Sequence, residues 1–168
     1  MIAICDSGGT KGDWAFFEGN DKQLFASPGF NPYTHDLPMY LEALKSLFES
    51  HLDVTRVTEV YFYSAGCREI QQQQKVSLGL SSLFTHSRIE VNQDLLAAAR
   101  ATCGRHSGIA CILGTGANSG LYDGRQFTDN IPTLGYLVGD EGGGAHFGKL
   151  LIKSYFYREM PDAIRTAF

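Results

Sequence analysis

The sequence predicts an α/β fold in which a mixed sheet carries helices on its faces, followed by the beginning of a second, similar lobe. Two observations predict this fold. The first part of the chain has the pattern of three strands and then of helices alternating with strands. That opening pattern restarts after a polar, glycine-bearing connector at residues 104–108. We therefore place the complete lobe at residues 1–106 and the beginning of the second lobe, which we expect to be truncated, at residues 107–168.

The individual elements follow from the spacing of apolar residues. Strands are predicted at residues 1–6, 13–18, 23–27, 58–64 and 88–91, and in the second lobe at 109–114, 118–123 and 126–130. Helices are predicted at 37–50, 69–83, 94–103 and 143–159. In the first of these helices Leu37, Leu41 and Leu44 recur at helical spacing, whereas the prolines of segment 27–33 favour a loop.

Composition narrows the class of protein. The net charge is −4, which disfavours a nucleic-acid partner. No apolar stretch approaches the ~20 residues of a membrane span, and no basic leader precedes the first strand, so no membrane partner is expected. The four cysteines, Cys5, Cys67, Cys103 and Cys111, lie in or beside apolar runs without a CxxC pair. We interpret them as reduced core residues of a cytoplasmic protein.

A glycine-rich turn follows the first strand and offers the groups that bind phosphate. Gly8 and Gly9 allow the backbone to approach a ligand closely, and Thr10 and Lys11 add a hydroxyl and a cation. Asp6 ends a strand that has a buried pattern, where a carboxylate needs a partner. A magnesium nucleotide would use these groups. The alternative is that Asp6 only closes an Asx turn onto Gly8.

A second turn, Gly114, Thr115 and Gly116, repeats this layout after the strand at 109–114. One such turn alone is often only a tight connection, but two predict a polyphosphate held between two lobes. Residues 143–150 nearly fit a P-loop, yet Leu150 stands where the magnesium-binding hydroxyl is required, so we reject that motif.

Four blocks carry a resemblance to a known family. They are the segment 6–11, the segment 92–94 before an alanine-rich helix, the segment 113–119, and the segment 135–144. In this order they resemble the N-acetylglucosamine kinases and BadF-type ATPases of the sugar kinase and actin-like ATPase superfamily. The resemblance implies ribonuclease-H-like lobes and ATP-dependent phosphorylation of an amino sugar, foremost N-acetylglucosamine at its 6-hydroxyl, with Mg²⁺.

The resemblance also implies a role for each site residue. Asp94 matches the general base, although an aspartate there also caps the following helix, and both roles can hold. Asp6 matches the residue that organises Mg²⁺, through water. The family's phosphate-binding positions correspond to Gly8, Gly9, Thr10, Lys11, Gly114, Thr115 and Gly116. Its sugar-binding positions correspond to Asn31, Asn118 and Asp140. The alternative for segment 139–144 is a flexible cap of the next helix.

Two other functions stay open. One is an activator of the BadF type, which holds an iron–sulfur cluster on cysteines. Cys103 is the nearest candidate ligand for such a cluster, but no second cysteine accompanies it. The other is a non-catalytic sugar sensor or assembly module. The histidines show no metal-ligand spacing, so no structural metal is expected. Because the half of the second lobe that binds adenosine in this family is missing, we expect weak activity from this chain alone. We also expect exposed hydrophobic surface or self-association, with a homodimer as one form.

Overall fold

The computed structural model of the chain describes residues Met1–Phe168, which divide into two units, Met1–Ala97 and Ala98–Phe168. This division falls inside a helix. The division into a complete lobe at 1–106 and an unfinished one at 107–168 stays a prediction.

A five-stranded mixed sheet organises the first unit. Its strands are β1 Ile2–Ser7, β2 Lys11–Glu18, β3 Asp21–Pro28, β4 Glu59–Ser64 and β5 Arg88–Gln93. The spatial order is β3-β2-β1-β4-β5. The first three strands form an antiparallel meander, and β4 and β5 add in parallel beside β1. The predicted mixed sheet is therefore confirmed.

Two helices connect strands of this sheet, α1 Leu37–Glu49 and α2 Ile70–Ser81, and a third, α3 Asp94–Cys103, follows β5 and crosses the division between the units. A short 3₁₀ turn occupies Val54–Arg56. The α1 helix begins where sequence chemistry favours a start, because Asp36 Oδ1 accepts a hydrogen bond from the Met39 amide at 2.9 Å. Its buried residues, Leu37, Tyr40, Leu44 and Phe48, keep the spacing of one helical face.

One face of the sheet in the first unit is packed and the other is open. In β1 the residues Ala3, Cys5 and Ser7 are buried, whereas Ile4 and Asp6 alternate to the exposed face. Aromatic rings dominate the packed side. The Trp14 ring lies 5.4–5.8 Å from the rings of Phe16, Phe48, Phe62 and Phe84. This cluster anchors the strands whose ends carry the candidate site.

The second unit contains a three-stranded antiparallel sheet and short helices. The strands are β6 Gly108–Leu113, β7 Ala117–Tyr122 and β8 Phe127–Asn130, in that spatial order. The helices are α4 Gly135–Val138, α5 Gly144–Phe156 and α6 Asp162–Ala167. The sequence did not predict α4 and α6, because helices of 4 and 6 residues are too short to show apolar periodicity.

Apolar side chains of the second unit are mostly exposed. The α5 helix buries no residue, and its Phe147 and Phe156 are 56% and 73% exposed. The prediction that all four cysteines are core residues is wrong for Cys111, which is exposed, while Cys103 is only half-buried. Cys111 shares an open face of β6 with Ile109 and Leu113, and nothing in the unit covers that face.

The predicted elements differ from the observed ones mainly at strand ends. The strand predicted at 13–18 begins at Lys11, which pairs with Pro28, and the strand predicted at 88–91 continues to Gln93, which pairs with Ser64. Polar residues therefore extend both strands through backbone pairing. The helix predicted at 94–103 is confirmed. No helix of the chain combines the length and the apolar character that crossing a membrane requires.

Candidate functional site

The carboxyl ends of three parallel strands meet at one edge of the first sheet. Ser7 of β1 pairs in register with Ser64 of β4, and Ser64 pairs with Gln93 of β5. Asp6 and Asp94 therefore belong to the same sheet edge, two strands apart. Ligands of open α/β sheets bind at the carboxyl ends of their strands, so this edge is the expected position for a site.

The first glycine turn joins β1 to β2 through Gly8, Gly9 and Thr10. The Gly8 amide donates to the Lys11 carbonyl at 3.0 Å, so the alternative of an Asx turn from Asp6 to Gly8 is wrong. Gly9 and Thr10 are exposed, and their amides donate to no group of the chain. Neighbouring amides that lack internal partners are the donors that a phosphate oxygen requires.

Asp6 lies opposite a second carboxylate that the sequence analysis missed. Asp13 of β2 pairs directly with Asp6 across the hairpin. Burial of part of the Asp6 carboxyl and the charge of Asp13 raise the pKa of Asp6, and the Lys11 cation partly offsets this. Lys11 Nζ lies 3.0 Å from Asp13 Oδ2 in an exposed ion pair. The signal for Asp13 was its mirrored position about the four residues 8–11 that separate the last register pair, Ser7 and Gly12.

These oxygen donors fit a magnesium ion. Mg²⁺ binds one or two carboxylates and keeps several waters, and the facing Asp6 and Asp13 carboxylates offer that donor set beside a phosphate-binding turn. The pKa of Asp6 is raised first by burial and then by the charge of Asp13, so its carboxylate form is held at a cost in free energy. A bound cation would offset that cost.

Asp94 is the first residue of α3 and follows β5 without an intervening loop. Its Oδ1 accepts a hydrogen bond from the Leu95 amide at 2.9 Å, so the carboxylate does bind the first turn of the helix. Burial raises the pKa of Asp94, the charge of Asp6 raises it further, and the Leu95 hydrogen bond lowers it. Asp94 is half-buried, and a carboxylate with a raised pKa is suited to accept a proton.

Asn31 lies in the loop between β3 and α1, which packs on the first turn. The Gly29 amide donates to the Thr10 carbonyl at 3.1 Å, and a Cβ at Gly29 would lie 2.3 Å from the Gly8 carbonyl oxygen. Asn31 Oδ1 accepts from the Tyr33 amide at 3.0 Å. Gly66, which follows β4 with a φ of 77°, leaves room for this amide group, because a Cβ there would lie 2.5 Å from Asn31 Oδ1.

In the second unit the turn Gly114–Gly116 joins β6 to β7 in an antiparallel hairpin, as the first turn joins β1 to β2, but with three residues instead of four between the last register pair. The Gly114 amide donates to the Gly116 carbonyl at 2.9 Å. The beginning of α5 is fixed to this turn, because the amides of Gly144 and Ala145 donate to the carbonyls of Gly114 and Thr115 at 2.8 and 3.0 Å. The internal repeat predicted from the sequence is therefore present in the backbone of both units.

Asp140 also contacts the second turn. A Cβ at Gly116 would lie 2.9 Å from Asp140 Oδ2, so only glycine allows this approach. Asp140 has a φ of 60°, which is uncommon for a residue other than glycine but is adopted by aspartate more readily than by most residues. Asn118 lies on β7, where its Oδ1 accepts from Asn130 Nδ2 at 3.1 Å. The segment before α5 is therefore attached to the turn by several contacts.

The structure thus groups the predicted residues into two sets. In the first unit Asp6, the turn residues 8–11, Asn31 and Asp94 belong to one sheet edge. In the second unit residues 114–116 and Asp140 are in contact. A cavity of about 690 Å³ lies elsewhere in the first unit, between α1 and Leu83, and none of the predicted site residues lines it.

Comparison with known proteins supports this interpretation of the fold. No family model and no curated protein matches the chain. A solved structure from Porphyromonas gingivalis, of a protein provisionally assigned as an N-acetylglucosamine kinase, is 42% identical over 99% of the chain with a TM-score of 0.91. The chain spans 60% of that protein.

Two more distant structures share the fold alone. One is from Chromobacterium violaceum and has the same provisional assignment. It is 17% identical, with a TM-score of 0.69, and the match covers 92% of this chain and 56% of that protein. The other is a hexokinase of the ROK group from Thermus thermophilus. It is 18% identical, with a TM-score of 0.51, and the match covers 84% of this chain and 50% of that protein. The resemblance deduced from the four sequence blocks is confirmed, and so is the ribonuclease-H-like, actin-like ATPase fold.

Proposed function

We propose that this chain, which shares its fold and 42% of its residues with the provisionally assigned N-acetylglucosamine kinase of Porphyromonas gingivalis, supplies the sugar- and phosphate-binding part of an ATP-dependent amino sugar kinase. The observation that carries the proposal is the half-buried Asp94 carboxylate, with its raised pKa, at the same sheet edge as the open phosphate turn. A kinase for a neutral hydroxyl needs this combination of a proton acceptor and a phosphate cradle.

The phosphate groups of ATP are assigned to the two glycine turns. In the first, the amides of Gly9 and Thr10 are free to donate to phosphate oxygens, and Lys11 can leave its exposed pair with Asp13 at little cost. The turn of residues 114–116 is assigned the same role in the second unit. Bound Mg²⁺, held by Asp6 with support from Asp13, would neutralise charge that develops on the transferred phosphoryl group.

Asp94 is assigned as the general base. As the 6-hydroxyl oxygen of the sugar forms a bond to the γ-phosphorus, the bond from that phosphorus to the leaving ADP oxygen breaks, and the hydroxyl proton passes to the Asp94 carboxylate. The hydrogen bond from the Leu95 amide holds one oxygen of this carboxylate, which leaves the other free to accept the proton. Most of the rate gain in phosphoryl transfer comes from positioning and charge neutralisation, and the base adds to it.

The substrate class follows from the neutral groups of the site. Asn31 can offer both a donor and an acceptor to sugar hydroxyls, which a purely charged site could not. In the second unit Asp140 and Asn118 are assigned to sugar contacts by the family resemblance. N-acetylglucosamine is the proposed substrate, and its 6-phosphate the product, on the strength of the assignment of the Porphyromonas gingivalis protein.

The test is phosphoryl transfer from γ-labelled ATP to N-acetylglucosamine, measured with the chain in excess over the sugar so that slow turnover is still detected. We expect labelled sugar phosphate from the wild type, about 100-fold slower transfer with Asp94→Asn, and no change with Asp53→Asn. Asp53 is a matched control, because its carboxylate also accepts a hydrogen bond from a nearby backbone amide, that of Thr55. Asp53 caps the 3₁₀ turn and is not one of the predicted site residues.

Equal rates for the wild type and Asp94→Asn would contradict the assignment of the base. Sugar binding without any labelled product would favour the non-catalytic sensor over the kinase. ATP hydrolysis without sugar binding would favour an ATPase of the activator type.

A further inference from the structure

Two buried serines lie side by side at the carboxyl ends of β1 and β4. Ser7 and Ser64 are register partners on the packed face of the sheet, and both are 0% exposed. A buried hydroxyl is costly unless it is hydrogen-bonded. Their partners therefore indicate what these two positions do.

Both hydroxyls bind the backbone of the same residue, Phe30. Ser7 Oγ accepts from the Phe30 amide at 2.9 Å, and Ser64 Oγ donates to the Phe30 carbonyl at 2.7 Å. A serine hydroxyl can act in either sense, so the same residue type serves both backbone groups. Phe30 is itself fully buried, and its ring stacks on Tyr40 with 4.7 Å between ring centroids.

Fixing Phe30 also fixes the backbone of Asn31. The Phe30 carbonyl and the Asn31 amide belong to one planar peptide group, so a bond to either atom orients both. Ser64 holds the carbonyl end of this group, and His35 Nδ1 accepts from the Asn31 amide at 3.1 Å. The N–Cα bond of Asn31, from which its side chain branches, is therefore oriented by Ser64 at the end of β4 and by His35.

We propose that Ser7 and Ser64 are positioning residues for sugar recognition. Neither is assigned a ligand contact. They fasten the loop of Asn31 to the strand ends beside Asp6 and Asp94, because Ser7 follows Asp6 and Ser64 pairs with Gln93, the residue before Asp94. The inference rests on the proposed function, since it gives Asn31 a sugar to recognise.

The two serines are not equivalent. The Phe30 amide also lies 3.0 Å from the Gly8 carbonyl, so it keeps an acceptor when the Ser7 hydroxyl is removed. The Phe30 carbonyl, by contrast, accepts from the Ser64 hydroxyl and from no other donor. Ser64→Ala leaves a buried carbonyl unpaired and favours other loop conformations, which lowers the fraction of molecules that can bind sugar.

The test compares two ligands in three variants by calorimetric titration of the full chain. With Ser64→Ala we expect about 10-fold weaker binding of N-acetylglucosamine and unchanged binding of magnesium pyrophosphate, the probe for the phosphate turn. With Ser7→Ala we expect about 3-fold weaker sugar binding. Ser87→Ala is the matched control, because Ser87 Oγ also donates to a backbone carbonyl, that of Val57, at 2.7 Å but away from the site.

The inference would be supported if sugar affinity falls most in Ser64→Ala, less in Ser7→Ala and least in Ser87→Ala, while pyrophosphate affinity stays unchanged. Wild-type sugar affinity in Ser64→Ala, or equal losses for sugar and pyrophosphate, would overturn it and leave the proposed function intact. If Ser64→Ala fails to fold, Ser7→Ala decides by the same comparison. A wild-type chain that binds pyrophosphate but no sugar would overturn the proposed function, and the inference with it.

Discussion

The two units use similar backbone turns but hold them by different means. The first unit packs its sheet on α1 and α2 around buried aromatic rings, with Trp14, Phe48 and Phe62 each no more than 1% exposed. The second unit buries few apolar side chains, chiefly Tyr122 and Met160. Its turn is held by backbone hydrogen bonds from the beginning of α5.

This difference separates local geometry from stability. Backbone hydrogen bonds can define the shape of a turn, but burial of apolar surface supplies most of the free energy of folding. We therefore expect the first unit to carry the stability of the chain. The open apolar face of β6 and the exposed apolar side chains of α5 are surface that further packing would stabilise.

The largest expected effect is on cysteine reactivity, because the rate at which a thiol reacts depends on how deeply its side chain is buried. Burial raises the pKa of the Cys5 thiol, and burial raises the pKa of Cys67 to about 11, so both thiols are protonated and shielded at neutral pH. Cys111 is exposed. In an alkylation time course followed by peptide mass spectrometry, Cys111 should react about 1,000-fold faster than Cys5.

Comparable rates for Cys5 and Cys111 would show that the buried thiol of the first unit is as accessible as the exposed thiol of the second. The comparison between the units would then fail. Labelling in denaturant provides the control, because all four thiols should react at similar rates once the chain is unfolded.

A second test compares one core ring with one exposed ring. Phe62→Ala should lower the free energy of unfolding by about 3–5 kcal/mol, because Phe62 is fully buried against Trp14. Phe147→Ala, an identical substitution at a side chain that is 56% exposed, should change it by less than about 0.5 kcal/mol. Urea denaturation measures both, followed by the fluorescence of Trp14, the single tryptophan, for the first unit and by far-ultraviolet circular dichroism for the helices and strands of both units.

A large loss with Phe147→Ala would mean that α5 packs on something in solution, such as a second copy of the chain. Sedimentation of the same samples would then identify the self-association that the sequence analysis expects. A small loss with Phe62→Ala would contradict the assignment of the stabilising core.

A smaller effect is expected from the charge of Asp94. Its pKa is raised in the folded chain, mainly by burial, so the folded state favours the protonated form. The corresponding stability is present below the ordinary pKa of 3.8 and is lost as pH rises through the raised value. Asp94→Asn should therefore be more stable than the wild type at neutral pH, and the difference should vanish as pH falls below 3.8.

Asp53→Asn should behave in the opposite way, because hydrogen bonds from the Thr55 hydroxyl and amide lower the pKa of Asp53. Thermal melts of the three proteins between acidic and neutral pH measure both differences. Asp94→Asn that is no more stable than the wild type at neutral pH would mean that the Asp94 carboxylate is adequately solvated or paired.

The sequence predicted most of the fold and the position of Asp94, because their signals are local. The α3 helix combines an aspartate at its beginning with a run of good helix formers, so its bounds were predictable. The first glycine turn was equally clear. Asp13 was missed because its role depends on pairing across the hairpin, although the length of the turn determines that register.

The burial of Cys111 was predicted wrongly for a different reason. Alternation along β6 shows which residues share a face, but it does not show whether another element covers that face. The same limit applies to α5, whose apolar side was visible in the sequence while its exposure was not. The roles of Ser7 and Ser64 required the loop of Phe30, which lies 23 residues from Ser7 along the chain.

The most direct measurement of the central claim is a two-dimensional amide NMR titration of the chain with N-acetylglucosamine, repeated with magnesium pyrophosphate. We predict that the sugar shifts the signals of Asn31, Tyr33 and Asp94, and that pyrophosphate shifts those of Gly9, Thr10 and Lys11. Sugar-dependent shifts confined to Leu41, Leu52 and Leu83 around the separate cavity, or no shifts at millimolar sugar, would contradict the proposed sugar site.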